Sequence, residues 1–138
     1  MTREKESEAD GGTTSAWSGA QILRLDRRIR RVVLVSRAGE VLGVESRGLA
    51  PVLATSDELQ LSNMGALIAA VLSALATVTR YFGESLYIVN AFQDYKMLIL
   101  GPFDSGRILA LVIPRSVNGD TIYRKVITFI RARPARAT

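Results

Sequence analysis

The sequence predicts a mixed α/β domain with its elements in the order helix, strand, strand, helix, strand, strand, strand, helix. Three observations carry that prediction. Apolar residues recur at helical spacing in three segments, five β-rich runs are bounded by turn residues, and the longest helical segment carries no charge at all. At 138 residues and 48% hydrophobic, the chain is one domain's worth of protein with enough apolar material for a packed core.

Residues 1–16 read as a disordered tail, because Glu, Asp, Gly, Thr and Ser dominate and too little apolar surface is present to offset the entropy of ordering. Residues 134–138 read as a frayed end after Pro134. The folded unit is then 17–133. Its first element is a short helix from about Ser18 to Arg30, with Ile22, Leu25 and Ile29 on one face and Arg24, Arg27, Arg28 and Arg31 on the other. A hairpin follows, in which the runs 31–36 and 40–45 flank Arg37-Ala38-Gly39, and Gly suits the left-handed residue of a short turn. Residues 47–56 read as a connector. Thr55 with Glu58 has the spacing of a capping box, and Ser62 is a rival helix start.

From Leu59 to Thr79 no residue is charged. The strongly apolar part, 64–78, is shorter than the ~20 residues needed to cross a bilayer, so a buried helix is expected rather than a membrane span. On a helical wheel Met64, Leu67, Ile68, Val71, Leu75, Val78 and Phe82 gather on one side, which suits a sheet. Ser62, Ala66, Ala69, Ala70, Ser73 and Thr77 gather opposite, joined at the end by Arg80. An Ala-rich exposed face is one reading of that stripe. The more economical reading is close approach of a second copy of the same helix. Three strands are expected next, at 85–92, 95–100 and 107–113, antiparallel across the turns Gln93-Asp94 and 102–106. Unpaired, the first would expose Leu86, Ile88 and Phe92 along an edge, so it is expected to pair with its own copy. Asn118-Gly119-Asp120 opens a last helix to about Arg133, with Ile122, Val126, Phe129 and Ile130 inward, Tyr123 and Ile127 at the edge, and Arg124, Thr128 and Arg131 outward.

Composition excludes most catalytic chemistry. Cysteine and histidine are both absent, which removes disulfides, thiol nucleophiles, Cys/His metal sites and the commonest general base. Ser36, Ser62 and Ser73 have no His to activate them. The run Gly101–Gly106 has the glycine spacing of a phosphate loop, but Arg107 stands where Lys is required and Ile108 where Ser or Thr is. It reads as a hairpin turn. No catalytic residue, cofactor or metal is expected. The N-terminus lacks an apolar leader, which points to the cytoplasm.

The charge is uneven. Arg24 to Arg37 holds six Arg against one Asp, and 124–136 holds five basic groups and no acid. Such clusters suit nucleic acid, anionic lipid or an acidic protein; a solvated basic surface is the alternative.

The element order and particular residues resemble the roadblock (dynein light chain) family. Carrying the resemblance are Val32-Val-Leu-Val-Ser-Arg-Ala-Gly-Glu-Val-Leu-Gly43 after a short helix, the Ala/Leu-rich middle helix, and the strands Tyr95-Lys-Met-Leu-Ile-Leu100 and Leu109-Ala-Leu-Val-Ile113. The resemblance covers roughly residues 20–131. The connector 47–56 is long for the family and the first helix unusually Arg-rich. What it implies is an α+β sandwich: a five-stranded antiparallel sheet, the central helix on one face and the two shorter terminal helices on the other. It also implies a homodimer through the central helix and the strand after it, and a non-catalytic role as a scaffold or regulator of a small Ras-like GTPase. The expected dimer residues are Ala66, Ala69, Ala70, Ser73, Thr77, Leu86 and Ile88, and the expected partner contacts are Arg80, Arg27 and Arg28. A basic nucleic-acid-binding protein using the terminal helices is the rival reading.

Overall fold

The computed structural model describes residues 13–14, 17–47, 58–103, 106–133 and 136–137. Ser18 caps α1 (Gly19–Arg24) with a reciprocal box, its Oγ accepting from the Gln21 N–H and its own N–H donating to Gln21 Oε1. The hairpin β1 (Arg31–Val35) and β2 (Val41–Ser46) follows, with Gly39 at φ +92° in the turn. Next come α2 (Glu58–Leu75), the single turn α3 (Thr79–Phe82), β3 (Ile88–Ala91), β4 (Tyr95–Leu100) and β5 (Ile108–Pro114). Asn118 caps the last helix, α4 (Gly119–Arg131).

The five strands form one antiparallel sheet in the order β2-β1-β5-β4-β3, which leaves β2 and β3 as its edges. Side chains alternate between its two faces. Val32, Leu34, Leu98, Leu100, Leu109 and Leu111 meet α1 and α4 on one side, where Ile22, Ile122, Val126 and Ile130 close the main core. Val33, Val35, Ile99, Ile108 and Ala110 meet Ile68 of α2 on the other, with Met64 and Leu72 beside it. The expected sandwich, with the central helix on one face and the terminal helices on the other, is the observed architecture. Within the segments expected to lie outside the domain, Thr13–Thr14 pairs antiparallel with Arg136–Ala137.

Two elements differ in extent from expectation, each for a tertiary reason. The first helix stops at Arg24 rather than Arg30. Arg47, which the sequence places in a connector, donates from Nη1 to the Asp26 and Ile29 carbonyls and from Nη2 to that of Leu23, so the chain after α1 is held in turns. Arg31, expected both beside the polar helical face and at the start of the run 31–36, opens β1 and is buried. The third strand begins at Ile88, not Ser85. Because Ile88 faces Ile99, Leu86 would face Gly101, whose φ of +121° bends β4's chain away and leaves nothing to pair with.

The long helix begins at Glu58, so Ser62 is not its start, while Thr55 lies outside the described residues. Its sheet-facing stripe is rotated relative to the wheel. Gly65, Ile68 and Ala69 are buried, whereas Leu67, Val78 and Phe82 of the expected inward face are exposed. A Cβ at Gly65 would lie 2.3 Å from the Gly39 carbonyl oxygen, so this glycine allows the helix to sit directly on the β1–β2 turn and sets its rotation. The Gly101–Gly106 run joins two antiparallel strands, with Phe103 N–H bonded to the Arg107 carbonyl, as a hairpin reading requires.

Candidate functional site: an apolar surface beside an open sheet edge

The described residues hold no group of three or more carboxylates placed for a metal ion, and no helix long and apolar enough to cross a membrane. What the fold does present is apolar surface in one place. Tyr81 is 72% exposed and Phe82 85%, both on the short turn α3; Leu67 lies upstream on α2, Val89 is on β3, and Leu86 and Phe92 lie just before and just after that strand. These residues run from the outer side of α2 to the edge strand of the sheet. β3 has a neighbour on one side only, so its backbone donors and acceptors face outward beside exposed rings.

Between the end of α2, the segment before β3 and the end of α4 lies a groove of about 520 Å³. Leu72, Leu75, Leu86, Ile127 and Ile130 line it, with Glu84 and Arg131 also in its wall. It exists because 83–87 leaves the sheet. Tyr87 turns instead toward α4, stacking on Tyr123 at 4.8 Å between ring centres and donating from its hydroxyl to Asp120 Oδ1 at 3.2 Å. Burial and the neighbouring Asp120 carboxylate both push the Tyr87 phenol up from its ordinary pKa.

Of the residues expected at a dimer interface, Ala66, Ala70 and Ser73 lie exposed on the outer side of α2, and Thr77 is exposed in the turn after it. Ala69 is turned to the sheet and buried, and Ile88 packs partly against the second core, while Leu86 is exposed. The rotation set by Gly65 accounts for Ala69. Arg80 is exposed and lies over the Tyr81 ring at 5.6 Å, adjoining the apolar surface. Arg27 and Arg28 are distant in sequence from it and belong to a separate basic face.

That basic face is built around one acid which the sequence reading passed over. Asp26 is 8% exposed; its Oδ1 accepts from the Arg28 backbone N–H at 2.8 Å and from Nε at 2.9 Å, and its Oδ2 accepts from Arg28 Nη2 and Lys125 Nζ, both at 2.7 Å. Arg28 is the dominant influence on this carboxyl; burial opposes it and Lys125 adds to it, so its pKa falls well below the ordinary 3.8. The carboxylate joins the turn after α1 to α4. Its signal in the sequence is that it is the one acid among six Arg.

No model of a known protein family matches this sequence, and no curated protein does. Solved structures do resemble it. A Roadblock/LC7 domain from Streptomyces avermitilis superposes with a TM-score of 0.62 at 18% identity, covering 85% of this chain and 92% of that one. An MglB with a tetrameric arrangement gives 0.61 at 18% identity over 82% of each chain. MglB from Myxococcus xanthus gives 0.60 at 12% identity, over 80% of this chain and 79% of that one. At these identities the likeness is one of fold: the chain has the roadblock-domain fold.

Proposed function

We propose that this chain is a non-catalytic, homodimeric scaffold or regulator of a small Ras-like GTPase. The observation that supports it is the unfinished side of the molecule. Apolar rings and an open strand edge stand together, and contiguous exposed apolar surface of this kind marks a protein contact. A second copy satisfies both features at once, because a two-fold axis beside β3 and perpendicular to the sheet pairs the edge antiparallel with itself and brings the outer sides of two α2 helices together. Ala66, Ala70 and Ser73 permit the backbones to come close. The tetrameric arrangement of one MglB concerns that protein, yet it fits a fold that uses self-association. The GTPase partner follows from the resemblance to the roadblock family. Regulation without catalysis is physically sufficient, since a partner that binds one switch conformation better shifts its population. Arg80, exposed beside the apolar surface, favours the end of its short helix by its charge, and it is the arginine to test for a contact with a bound nucleotide.

The test has two parts. Light scattering should give the mass of two chains for the wild type and of one chain for Ala70→Glu and for Ser73→Glu, because each buries a carboxylate against its own copy. Dimers of unchanged affinity in both variants would discard the interface. GTP turnover by a co-purifying GTPase should accelerate with wild type; acceleration lost in Arg80→Ala with binding retained assigns the arginine a catalytic part, and equal acceleration assigns scaffolding. Turnover by the isolated chain would overturn the non-catalytic reading.

A further inference from the structure

The positive charge of the chain is concentrated in one layer. Residues 17–30, with α1 and the turn after it, and residues 118–133, with α4, hold eight of the eighteen basic residues and only two of the thirteen acids, so the rest of the chain is nearly neutral. Both segments pack on the same face of the sheet. Ile22 is fully buried, so Arg24, about 200° further round α1, is turned away from the sheet; Arg124 stands at the same angle from buried Ile122 on α4. Arg27, Arg28 and Lys125 are exposed where the turn meets α4, and the last two share the buried Asp26. Arg131 is on the other flank of α4, in the wall of the groove, and Arg133 lies over the Phe129 ring at 3.9 Å. Asp120, the second acid, is paired with Arg124, and Glu45 of β2 stands at the opposite end of α1, beside Gly19. Arg24, Arg27, Arg28, Arg124 and Lys125, set against Asp26 and Asp120, leave three positive charges per chain on the outer side of this layer.

The chemistry of the layer favours an anionic surface over a nucleic acid. Single strands are held by exposed rings on which bases stack; here Trp17 and Tyr123 are buried, and Phe129 is half-buried under the Arg133 guanidinium. A helix that enters the major groove of a duplex must stand clear of its neighbours, whereas α4 is tied along one flank to the turn after α1 by Lys125 and Asp26. Arg and Lys heads on long stems, carried by helices that lie on a sheet, suit a plane of headgroups instead. Each such cation adds about fivefold to the affinity for anionic lipid.

We propose that the outer side of α1, the turn after it and α4 docks on an anionic lipid surface through Arg24, Arg27, Arg28, Arg124 and Lys125. The proposed dimer strengthens the contact, and this step rests on that reading. A two-fold axis perpendicular to the sheet keeps the α1/α4 layers of both copies on one side, so the surplus charge of two chains faces one plane. Both α2 helices then face away from the lipid, toward a protein partner.

Co-sedimentation with vesicles of phosphatidylcholine, alone or with about one-third phosphatidylserine, tests the docking. The wild type should bind the anionic vesicles only, and less as salt rises. Arg24→Gln with Arg27→Gln should weaken that binding at least about 25-fold. Arg37→Gln with Arg80→Gln removes the same charge from exposed sites in the turn beneath α2 and on α3, and should change it less than about twofold. Arg28 and Lys125 are kept throughout, so the Asp26 clamp is intact in every variant. Equal binding to both kinds of vesicle, no binding to either, or an equal loss in the two variants would each overturn the proposal. So would a short DNA duplex that displaces the protein from anionic vesicles at matched phosphate concentration, since the layer would then prefer nucleic acid. Light scattering separates this proposal from the dimer. A single chain that binds through Arg24 and Arg27 keeps the docking surface and discards the dimer, and a dimer that ignores the vesicles does the reverse.

Discussion

The two faces of the sheet are finished to different degrees. On the α1/α4 face, two helices from opposite ends of the chain cover the strands, and fourteen described residues are buried in one cluster; on the α2 face one helix covers them, and six are. The first face is also locked by ions and polar contacts, through Asp26, Lys125 and Arg47. The second is anchored where Gly65 meets Gly39 and is otherwise bordered by exposed Leu67, Tyr81, Phe82 and Leu86. A side that is already closed holds the fold; the side left apolar and open is available for association. The difference puts the larger buried core and the ion clamp on one face and the exposed apolar surface on the other.

That division can be broken by substitution. Ile122→Ala opens a cavity in the closed core and should cost the largest amount, about 2–5 kcal/mol of unfolding free energy by urea titration. A loss under about 1 kcal/mol would mean that this face is not the stable one. Gly65→Ala should cost about 1–3 kcal/mol, because the added methyl meets the Gly39 backbone and the helix must move. Hydrogen exchange should localise the damage to α2; uniform exchange across the chain would argue against a single anchor.

The ion clamp sharpens the comparison at a smaller scale. Asp26→Asn should cost about 1–3 kcal/mol, since Arg28 and Lys125 lose their shared acceptor while remaining partly hydrated. Its pH dependence has a definite sign. Because the folded carboxyl has a depressed pKa, the unfolded chain takes up its proton first as the pH falls. The contribution is therefore complete above about pH 5, declines as the pH drops through about 4, and continues to decline toward the lower folded value. Acid unfolding curves of wild type and Asp26→Asn should converge in that range and be parallel near neutrality. The smallest effect on the monomer is expected at Phe82→Ser, within about 0.5 kcal/mol at an exposed site. Measured on dilute, dissociated chain, it should leave stability unchanged while weakening self-association at higher concentration. Strong destabilisation of the dilute chain would place Phe82 in the core rather than the interface.

By itself the sequence determined the element order, the Gly39 hairpin and the inward stripe of α4, because each rests on near-neighbour periodicity or on a backbone angle that only certain residues adopt, while the layered sandwich was implied by the resemblance to the roadblock family. The absence of charge from Leu59 to Thr79 likewise showed that the outer side of α2 is atypical, through Ala66, Ala70 and Ser73. What only the tertiary structure decided are features joining residues far apart in the chain. Arg47 ends α1 from 23 residues beyond it, Lys125 completes the Asp26 clamp from 99 residues away, and Gly101 cuts β3 short by bending its neighbour. The rotation of α2, which buries Ala69 and exposes Leu67, depends on the single contact of Gly65 with a turn formed earlier in the chain. A helical wheel gives the relative angles of side chains about an axis; which angle meets the sheet is set by where another backbone allows that axis to lie.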